Sequence, residues 1–238
     1  MKTGKTTHYL KYAIGEIALV MIGILLALQV SNWNEKRIIQ QNEIKILSQL
    51  NEDLKTNLVE LTGIHSYLKL CNSDGLKMLN HIETKSTVTD SLKFWTEGFV
   101  GGNIFNNANT TYKNLENSEK NIISNDSLRL RITLMYELEF VNVHQREKFF
   151  YESYLPTYNK EFYKNFKVSA TKHSWLQDQT LNINTPRNIK ALKNNEDFKN
   201  AFVEMYNSRL VRLQWLGQTL PRLKKLIDDI NLEIKNIQ

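Results

Sequence analysis

An uninterrupted apolar segment near the amino terminus, residues 12–30, constrains this chain more than any other feature. The segment is 19 residues long and contains one charged residue, Glu16. A bilayer hydrocarbon core of about 30 Å is crossed by about 20 apolar residues in a helix, so the length fits. Because lipid offers no hydrogen-bonding partners, a lone apolar segment satisfies its backbone there only as a helix. The sequence therefore predicts a transmembrane helix at 12–30.

A cleaved signal peptide is the competing interpretation of this segment. Lys2, Lys5 and Lys11 would then form its basic leader. The apolar run is longer than the usual signal-peptide core of about 7–15 residues. Residues 28–32 offer no cleavage site with small residues at the required spacing. We therefore favour an uncleaved anchor.

The basic residues around the segment set its expected orientation. Three lysines precede the segment and Lys36, Arg37 and Lys45 follow it, so the two sides are nearly balanced. The free amino terminus favours a cytoplasmic tail at 1–11. This arrangement predicts a single-pass protein of the inner (cytoplasmic) membrane whose residues 31–238 form a periplasmic domain. The opposite orientation stays open.

Two features of the predicted span favour contacts with another membrane helix. Gly23 and Ala27 form a small-xxx-small pair and Gly15 lies on the same stripe, an arrangement that lets helices approach closely. Glu16 is ionisable, and ionisable residues in spans usually have a function. The alternatives are that glycine and alanine are simply common in membrane helices, and that Glu16 reaches the interface, about 6 Å from Tyr12.

Two heptad-spaced apolar patterns predict the architecture of the remaining chain. Glycine and proline are scarce, at 9 and 3 residues, which favours long helices. Apolar residues at alternating spacings of three and four bury one helix stripe against partner helices. The sequence predicts an all-α fold, in which the transmembrane helix continues into an antiparallel bundle of about four long helices. The first pattern contains Leu47, Leu50, Leu54, Leu61, Ile64, Leu68, Cys71, Gly75, Met78 and Ile82, and the second contains Leu213, Leu216, Leu220, Leu223, Ile227, Ile230, Ile234 and Ile237.

Local signals divide the chain between these two patterns. Asn57 lies within the first pattern, where it either fixes the helix register or faces solvent, and a helix break at 72–75 stays open. Pro156 is expected to kink or break the second long helix. The other expectations are a turn at 84–89, a short helix from Thr89 or Asp90 through Phe99, a loop at 100–111, a short helix at 110–117, a helix start at Ser124, Asn125 or Asp126, a polar connector at 167–184, a helix start at Thr185-Pro186, and a cap at Asn194 or Asn195 for the last long helix.

Aromatic residues are concentrated between residues 149 and 166. Eight of these 18 positions are Phe or Tyr, which suits a ligand pocket or a protein interface. The alternative is core filling around Pro156, with the tyrosine hydroxyls reaching water. Ile104 and Phe105, in the preceding loop, pose a similar choice between docking on a partner and packing on the domain. The candidate interface or pocket residues are Tyr151, Tyr154, Tyr158 and Phe162.

Catalytic and metal-binding motifs are absent from the sequence. It contains no G-x-S-x-G, H-E-x-x-H or P-loop motif. The one cysteine, Cys71, falls within the first apolar pattern and is expected to be a buried small residue, with an intermolecular disulfide as the alternative. No Glu-x-x-His pair of a di-iron bundle occurs, and the histidines are scattered, so we favour ordinary exposed or half-buried histidines over a metal site built from His65, His81 and His144. We therefore expect no catalytic, cofactor-binding or metal-binding residues.

The opening of the chain resembles that of an uncharacterised bacterial family. Residues Lys11 to Arg37 follow the family's pattern KYAIGEI…GILLALQ…NWNEKR. Residues Thr111 to Glu137 are similar to its second segment, TYKNLENS…IISNDSLRLRITLMYE, although Glu119 follows Ser118 where members usually have a Gly soon after. The resemblance implies a single-span membrane protein with a helical extracytoplasmic domain. It implies no activity.

Charge and chain organisation narrow the expected function. The net charge is +6 and the charges are interleaved, so no basic stripe for nucleic acid is present and no nucleic-acid partner is expected. We expect an anchored scaffold or accessory subunit that acts through protein–protein contacts. Its expected partners are the lipid bilayer and a membrane or envelope protein, with a second copy of the chain as a further option. The alternative is a helical bundle that senses a small ligand and signals through a separate membrane protein.

Overall fold

Helices dominate a computed structural model of the protein, which describes residues 4–85, 87–100, 103–117, 122–172 and 180–238. This confirms the predicted helical class. Two π-helical segments, π1 (Met135–Phe140) and π2 (Phe150–Tyr154), join three α-helices into one path over 126–165, which we call the central rod. The other elements and the helices of the rod are α1 Gly4–Thr84, α2 Asp90–Val100, α3 Thr110–Glu116, α4 Asp126–Leu134, α5 Val141–Phe149, α6 Leu155–Asn165, β1 Phe166–Lys172, β2 Thr180–Pro186, α7 Ile189–Lys193 and α8 Glu196–Ile237.

Helix α1 runs for 81 residues from the apolar segment into the bundle. The break considered at 72–75 does not occur. Asn72 and Asp74 are buried, and a Cβ added to Gly75 would lie 2.4 Å from the ring of Phe99. Tertiary packing therefore overrides the weak helix propensity of this tetrad.

Helices α1 and α8 pack side by side and run antiparallel, as the two apolar patterns predict. Near one end of the pair, the Asn51 amide donates to Asn231 Oδ1 at 2.7 Å. Near the other end, Lys199 Nζ lies 3.9 Å from Glu83. From the first contact to the second, residue numbers rise by 32 on α1 (51 to 83) and fall by 32 on α8 (231 to 199). The two helices therefore run antiparallel and in step.

The buried side chains form two clusters along the bundle. The proximal core, nearer the apolar segment, is mainly aliphatic and takes residues from α1, α8 and the central rod. The distal core is rich in aromatic rings, which stack at centroid distances such as 4.3 Å between Phe162 and Phe166 and 4.6 Å between Phe99 and Phe202. Every apolar side chain of the first heptad pattern is buried in one of these clusters or beside them. The pattern therefore marks the α1 face that the bundle covers.

Side-chain caps fix several helix starts at residues that the sequence singled out. The Oδ1 atom of Asn125 accepts from Leu128 N at 3.1 Å, and that of Asn195 accepts from Phe198 N at 3.0 Å. Thr89 Oγ1 accepts from Leu92 N at 3.2 Å ahead of α2. One side-chain oxygen in each case satisfies a backbone donor that the first helical turn leaves without a partner.

The expectation of a polar connector at 167–184 was wrong. Strands β1 and β2 pair antiparallel there, with Phe166 opposite Pro186 and Val168 opposite Asn184. Thr185-Pro186 ends a strand instead of starting a helix, and α7 begins at Ile189, where Asn188 Oδ1 accepts from Ala191 N at 3.1 Å. In both segments apolar residues occur at every second position, which is the pattern of a strand. The polar residues between them made the segment look like a connector.

Pro156 does not break the central rod, which continues through it as α6. The π2 segment ends at Tyr154, and Pro156 falls in the first turn of α6. Proline lacks a backbone N–H, and the first turn of a helix is where that donor is least needed. The path changes from π-helix to α-helix directly before the proline, so Pro156 lies at the start of a new helix and does not interrupt one.

Candidate functional site

The apolar part of α1 carries the residues predicted to meet a membrane partner. The described residues from Gly15 to Asn42 are all exposed, and among the described helices α1 is the one long and apolar enough to cross a membrane. Gly15 and Gly23 have no atom within 4 Å of an added Cβ. Glu16 and Ala27 are exposed on the same stretch. These candidate residues therefore remain free for contacts outside the domain.

A short, mainly polar segment, residues 31–42, joins the apolar segment to the bundle, and we call it the neck. Arg37 lies over the ring of Trp33, with its guanidinium carbon 5.5 Å from the ring centroid. Such amphipathic residues favour a membrane–water boundary. From residue 15 onward, the first buried residue is Glu43, whose carboxylate accepts from Ser124 N at 2.7 Å and from Ser124 Oγ at 2.8 Å. This buried carboxylate ties α1 to Ser124, just before the central rod, a contact that the sequence patterns do not predict.

The loop before α3 is held on the bundle by polar side chains that include Asn57. Asn57 donates to Ala108 O at 2.9 Å and accepts from Ala108 N at 2.7 Å. Asn57 is buried, so it does not face solvent. Its partner is a loop residue and not another helix, so it does not set the helix register either. Phe105 packs on the domain, with its ring 5.2 Å from that of Phe140, whereas Ile104 stays exposed.

The four aromatic candidates separate into core residues and surface residues. Tyr158 and Phe162 are fully buried in the distal core, which agrees with the prediction that these aromatic residues fill the core. Burial raises the pKa of the Tyr158 hydroxyl. Tyr151 and Tyr154 are partly buried, and Tyr154 lines an open cleft described below. Only the second pair therefore presents surface to a ligand or partner.

Two buried arginines, Arg209 and Arg212, lie on α8 among these aromatic residues. The guanidinium carbon of Arg209 is 4.6 Å from the ring centroid of Phe99 and 5.4 Å from that of Phe150. That of Arg212 is 5.0 Å from the Phe150 centroid. Burial lowers the pKa of Arg209 and raises that of the Cys71 thiol. Sequence reasoning missed both arginines, although they occupy positions where the apolar spacing of α8 continues.

Glu147 connects Arg212 to the loop before α3. Its carboxylate accepts from Arg212 Nη2 at 3.0 Å and from Phe105 N at 3.1 Å. Burial raises the pKa of Glu147, against the opposing effects of Phe105 and Arg212. The pair joins the central rod to α8 at nearly full burial, where removing one partner is costly.

An open cleft lies between the central rod and α8, beside this pair. Its volume is about 390 Å³. No carboxylate is among the described residues that line it. Arg146 stacks over Trp215, with its guanidinium carbon 3.9 Å from the ring centroid. We call it the arginine cleft, and its lining residues are Asn142, Gln145, Arg146, Phe149, Tyr154, Ser208, Val211 and Arg212.

A second cleft between the same two elements has a different charge arrangement. Its volume is about 280 Å³. Arg131 pairs with Asp229, and Arg222 pairs with Glu139, which also accepts from Thr219 Oγ1 at 3.0 Å. We call it the paired cleft, and its lining residues are Arg131, Leu134, Met135, Glu139, Arg222, Lys225, Leu226 and Asp229.

The histidines and the cysteine are dispersed in the described part of the chain. His81 Nε2 lies 2.9 Å from Thr87 O, and His144 Nε2 lies 3.1 Å from Asn107 Oδ1. Cys71 is a free, buried thiol, as its position in the apolar pattern predicts. Among the described residues, no group of three or more His, Cys, Asp and Glu is placed to hold a metal ion.

These features define a helical protein with one exposed apolar helix segment and a bundle that extends from it. A protein-family model described as "Family of unknown function (DUF6090)" matches residues 16–208. The chain belongs to this family, which agrees with the resemblance seen in its opening residues. No curated protein and no solved structure matches the chain.

Proposed function

We propose that this is a single-span membrane protein that acts through protein–protein contacts in the cell envelope, as a scaffold or accessory subunit without catalysis. The observation that carries the proposal is the continuity of α1. One helix forms the exposed apolar segment and then a wall of the bundle. A contact made in the membrane would thereby be tied rigidly to the domain.

The proposed placement is a cytoplasmic tail at 1–11, a span at 12–30 in the inner membrane, and a periplasmic domain at 31–238. The length and exposure of the apolar stretch support the span, and the three lysines that precede it support the orientation. Reporter enzymes fused to the carboxyl terminus test it. Activity of a periplasmic reporter is expected, and activity of a cytoplasmic reporter alone would contradict the orientation.

Crosslinking in intact cells tests the proposed contacts. The tagged full-length protein is purified and its crosslinked partners are identified by mass spectrometry. We expect a stoichiometric membrane or envelope protein, or a second copy of the chain. Recovery of the uncrosslinked protein alone would contradict action through protein contacts.

Matched variants locate the contact on the span. Gly23→Leu fills the stripe that contains Gly15 and Ala27, and it should abolish the crosslink because the helices no longer approach closely. Met21→Leu lies about 200° around the helix from Gly23 and should leave the crosslink intact. Glu16→Gln removes the charge alone and should weaken the crosslink. Equal crosslinking in all three variants would exclude this stripe as the interface.

A second candidate function is small-ligand sensing by the periplasmic domain, with signalling through a separate membrane protein. The observation that favours it is the arginine cleft, because ligand sites are commonly clefts of about 300–1,000 Å³ with a few placed polar groups. Saturable stabilisation of the protein by one small molecule would support this function.

A further inference from the structure

The arginine cleft and the small void next to it share two arginines whose donors are incompletely used. Arg146 and Arg212 line both the cleft and the void, whose volume is about 10 Å³. Arg146 Nε and Arg212 Nη1 are buried and have no hydrogen-bond acceptor among the described residues. A buried donor without an acceptor is unfavourable, so an acceptor that reaches these atoms would be strongly favoured.

We propose that the arginine cleft binds a small monocarboxylate that carries an apolar body. The carboxylate oxygens accept from Arg146 and Arg212, and planar guanidinium groups suit the two oxygens of a carboxylate. The proposal concerns the bundle alone and does not depend on the contacts of the span.

The charges around the cleft match a single negative charge. Arg146 and Arg212 contribute two positive charges, and Glu147, at 3.0 Å from Arg212, offsets one of them. One positive charge remains, because the described lining residues include no other ionised group. A monoanion therefore neutralises the site, whereas a phosphate dianion would leave an excess negative charge in a partly buried position.

The walls of the cleft match an apolar body with few polar groups. Phe149, Tyr154 and Val211 supply apolar surface, and Ser208 supplies a hydroxyl. The π2 segment ends at Tyr154, and π-helical segments occur frequently at functional sites.

The paired cleft lies between the same two elements, but its arginines form ion pairs within the protein. There Arg131 and Arg222 each have a carboxylate partner within the protein. Its volume of about 280 Å³ is also smaller. Because Lys225 also lines it, the paired cleft is a control for the pairing of the arginines and for position, and not for net charge.

Thermal unfolding of the full-length protein in detergent tests the proposal, with phenylacetate as the probe. The neutral isostere phenylacetamide and inorganic phosphate are the comparison probes. We expect a saturable rise in Tm with phenylacetate, roughly 5–10 °C at 100 times Kd. Phenylacetamide and phosphate should give none. Absence of any saturable rise with phenylacetate, or an equal rise with phosphate, would overturn the proposal.

Three variants show whether binding takes place in the arginine cleft. Arg146→Gln should weaken phenylacetate binding by about tenfold or more, since it removes a charge-assisted hydrogen bond. Val211→Phe fills the cleft without removing a buried charge and should abolish binding. Arg222→Gln, in the paired cleft, should leave Kd unchanged. An equal loss in Arg222→Gln, or full binding in Val211→Phe, would place binding elsewhere and overturn the proposal.

Discussion

The two parts of α1, residues 15–42 and residues 43–84, have opposite relations to their surroundings. From Glu43 onward, buried side chains recur at heptad spacing and polar residues lie between them. In residues 15–42 every residue is exposed, including Ile24, Leu25 and Leu26 in succession. A helix that is apolar on all sides needs an apolar environment on all sides. The comparison teaches that one helix is built for two environments, with the change at the neck.

The largest expected difference between the two parts is in the chemical accessibility of a cysteine. Cys71, the one cysteine of the chain, is 1% exposed, and its thiol reacts only when the bundle opens. Alkylation of Cys71 should be at least about a thousandfold slower in the folded protein than in urea, since each factor of ten corresponds to about 1.4 kcal/mol of opening free energy. A Gln41→Cys variant in a Cys71→Ala background should react equally fast with and without urea. Equal rates at Cys71 would contradict a packed bundle at this position.

A leucine from each part gives the next largest difference. Leu61→Ala removes a fully buried side chain from the proximal core and should lower the free energy of unfolding by about 2–5 kcal/mol. Leu26→Ala removes an exposed side chain of the apolar stretch and should leave domain unfolding unchanged. Urea titration followed by far-ultraviolet circular dichroism measures both. A comparable loss in Leu26→Ala would mean that the stretch packs on the domain.

Glycines in the two parts should respond differently to a single methyl group. Gly75→Ala places a Cβ at 2.4 Å from the ring of Phe99, which is fully buried, so we expect a loss of about 1–3 kcal/mol. Gly23→Ala meets no atom within 4 Å and should not change domain unfolding. The same titration measures both variants, and an unchanged midpoint in Gly75→Ala would contradict the close approach of α2 to α1.

The smallest expected effect is a gain in stability within the domain part of α1. Gly63 lies mid-helix, and an added Cβ meets no atom within 4 Å. Gly63→Ala should therefore raise the free energy of unfolding by about 0.5–1 kcal/mol, because alanine loses less backbone entropy in a helix. A lower midpoint would show that Gly63 has a neighbour in the assembled protein, and crosslinking of the variant would identify it.

Local signals predicted the helices well because their physical causes are local. Heptad spacing identified the buried face of α1, and Asn125 and Asn195 were recognisable as caps by residue type and position. The hairpin was missed because the polar residues between its alternating apolar positions made the segment look like a connector. Pro156 was misjudged because sequence patterns do not reveal a change from π- to α-helix.

The candidate site was only partly predictable for the same reason. Tyr154 was recognised as a possible pocket residue from the aromatic concentration around it, and it does line a cleft. Arg146 and Arg212 were not recognised, because they come together only when the central rod packs on α8. Tyr158 and Phe162 were grouped with Tyr154 by sequence proximity, although helix periodicity directs them into the core.

Extraction of membranes with alkaline carbonate tests the central claim, that the exposed apolar part of α1 is a membrane anchor. The full-length protein is compared with a fragment of residues 35–238, which keeps every buried residue of the described bundle. We predict that the full-length protein remains in the membrane pellet. The fragment should be soluble and helical and should unfold cooperatively. Release of the full-length protein into the carbonate supernatant would contradict the anchor and the function proposed from it.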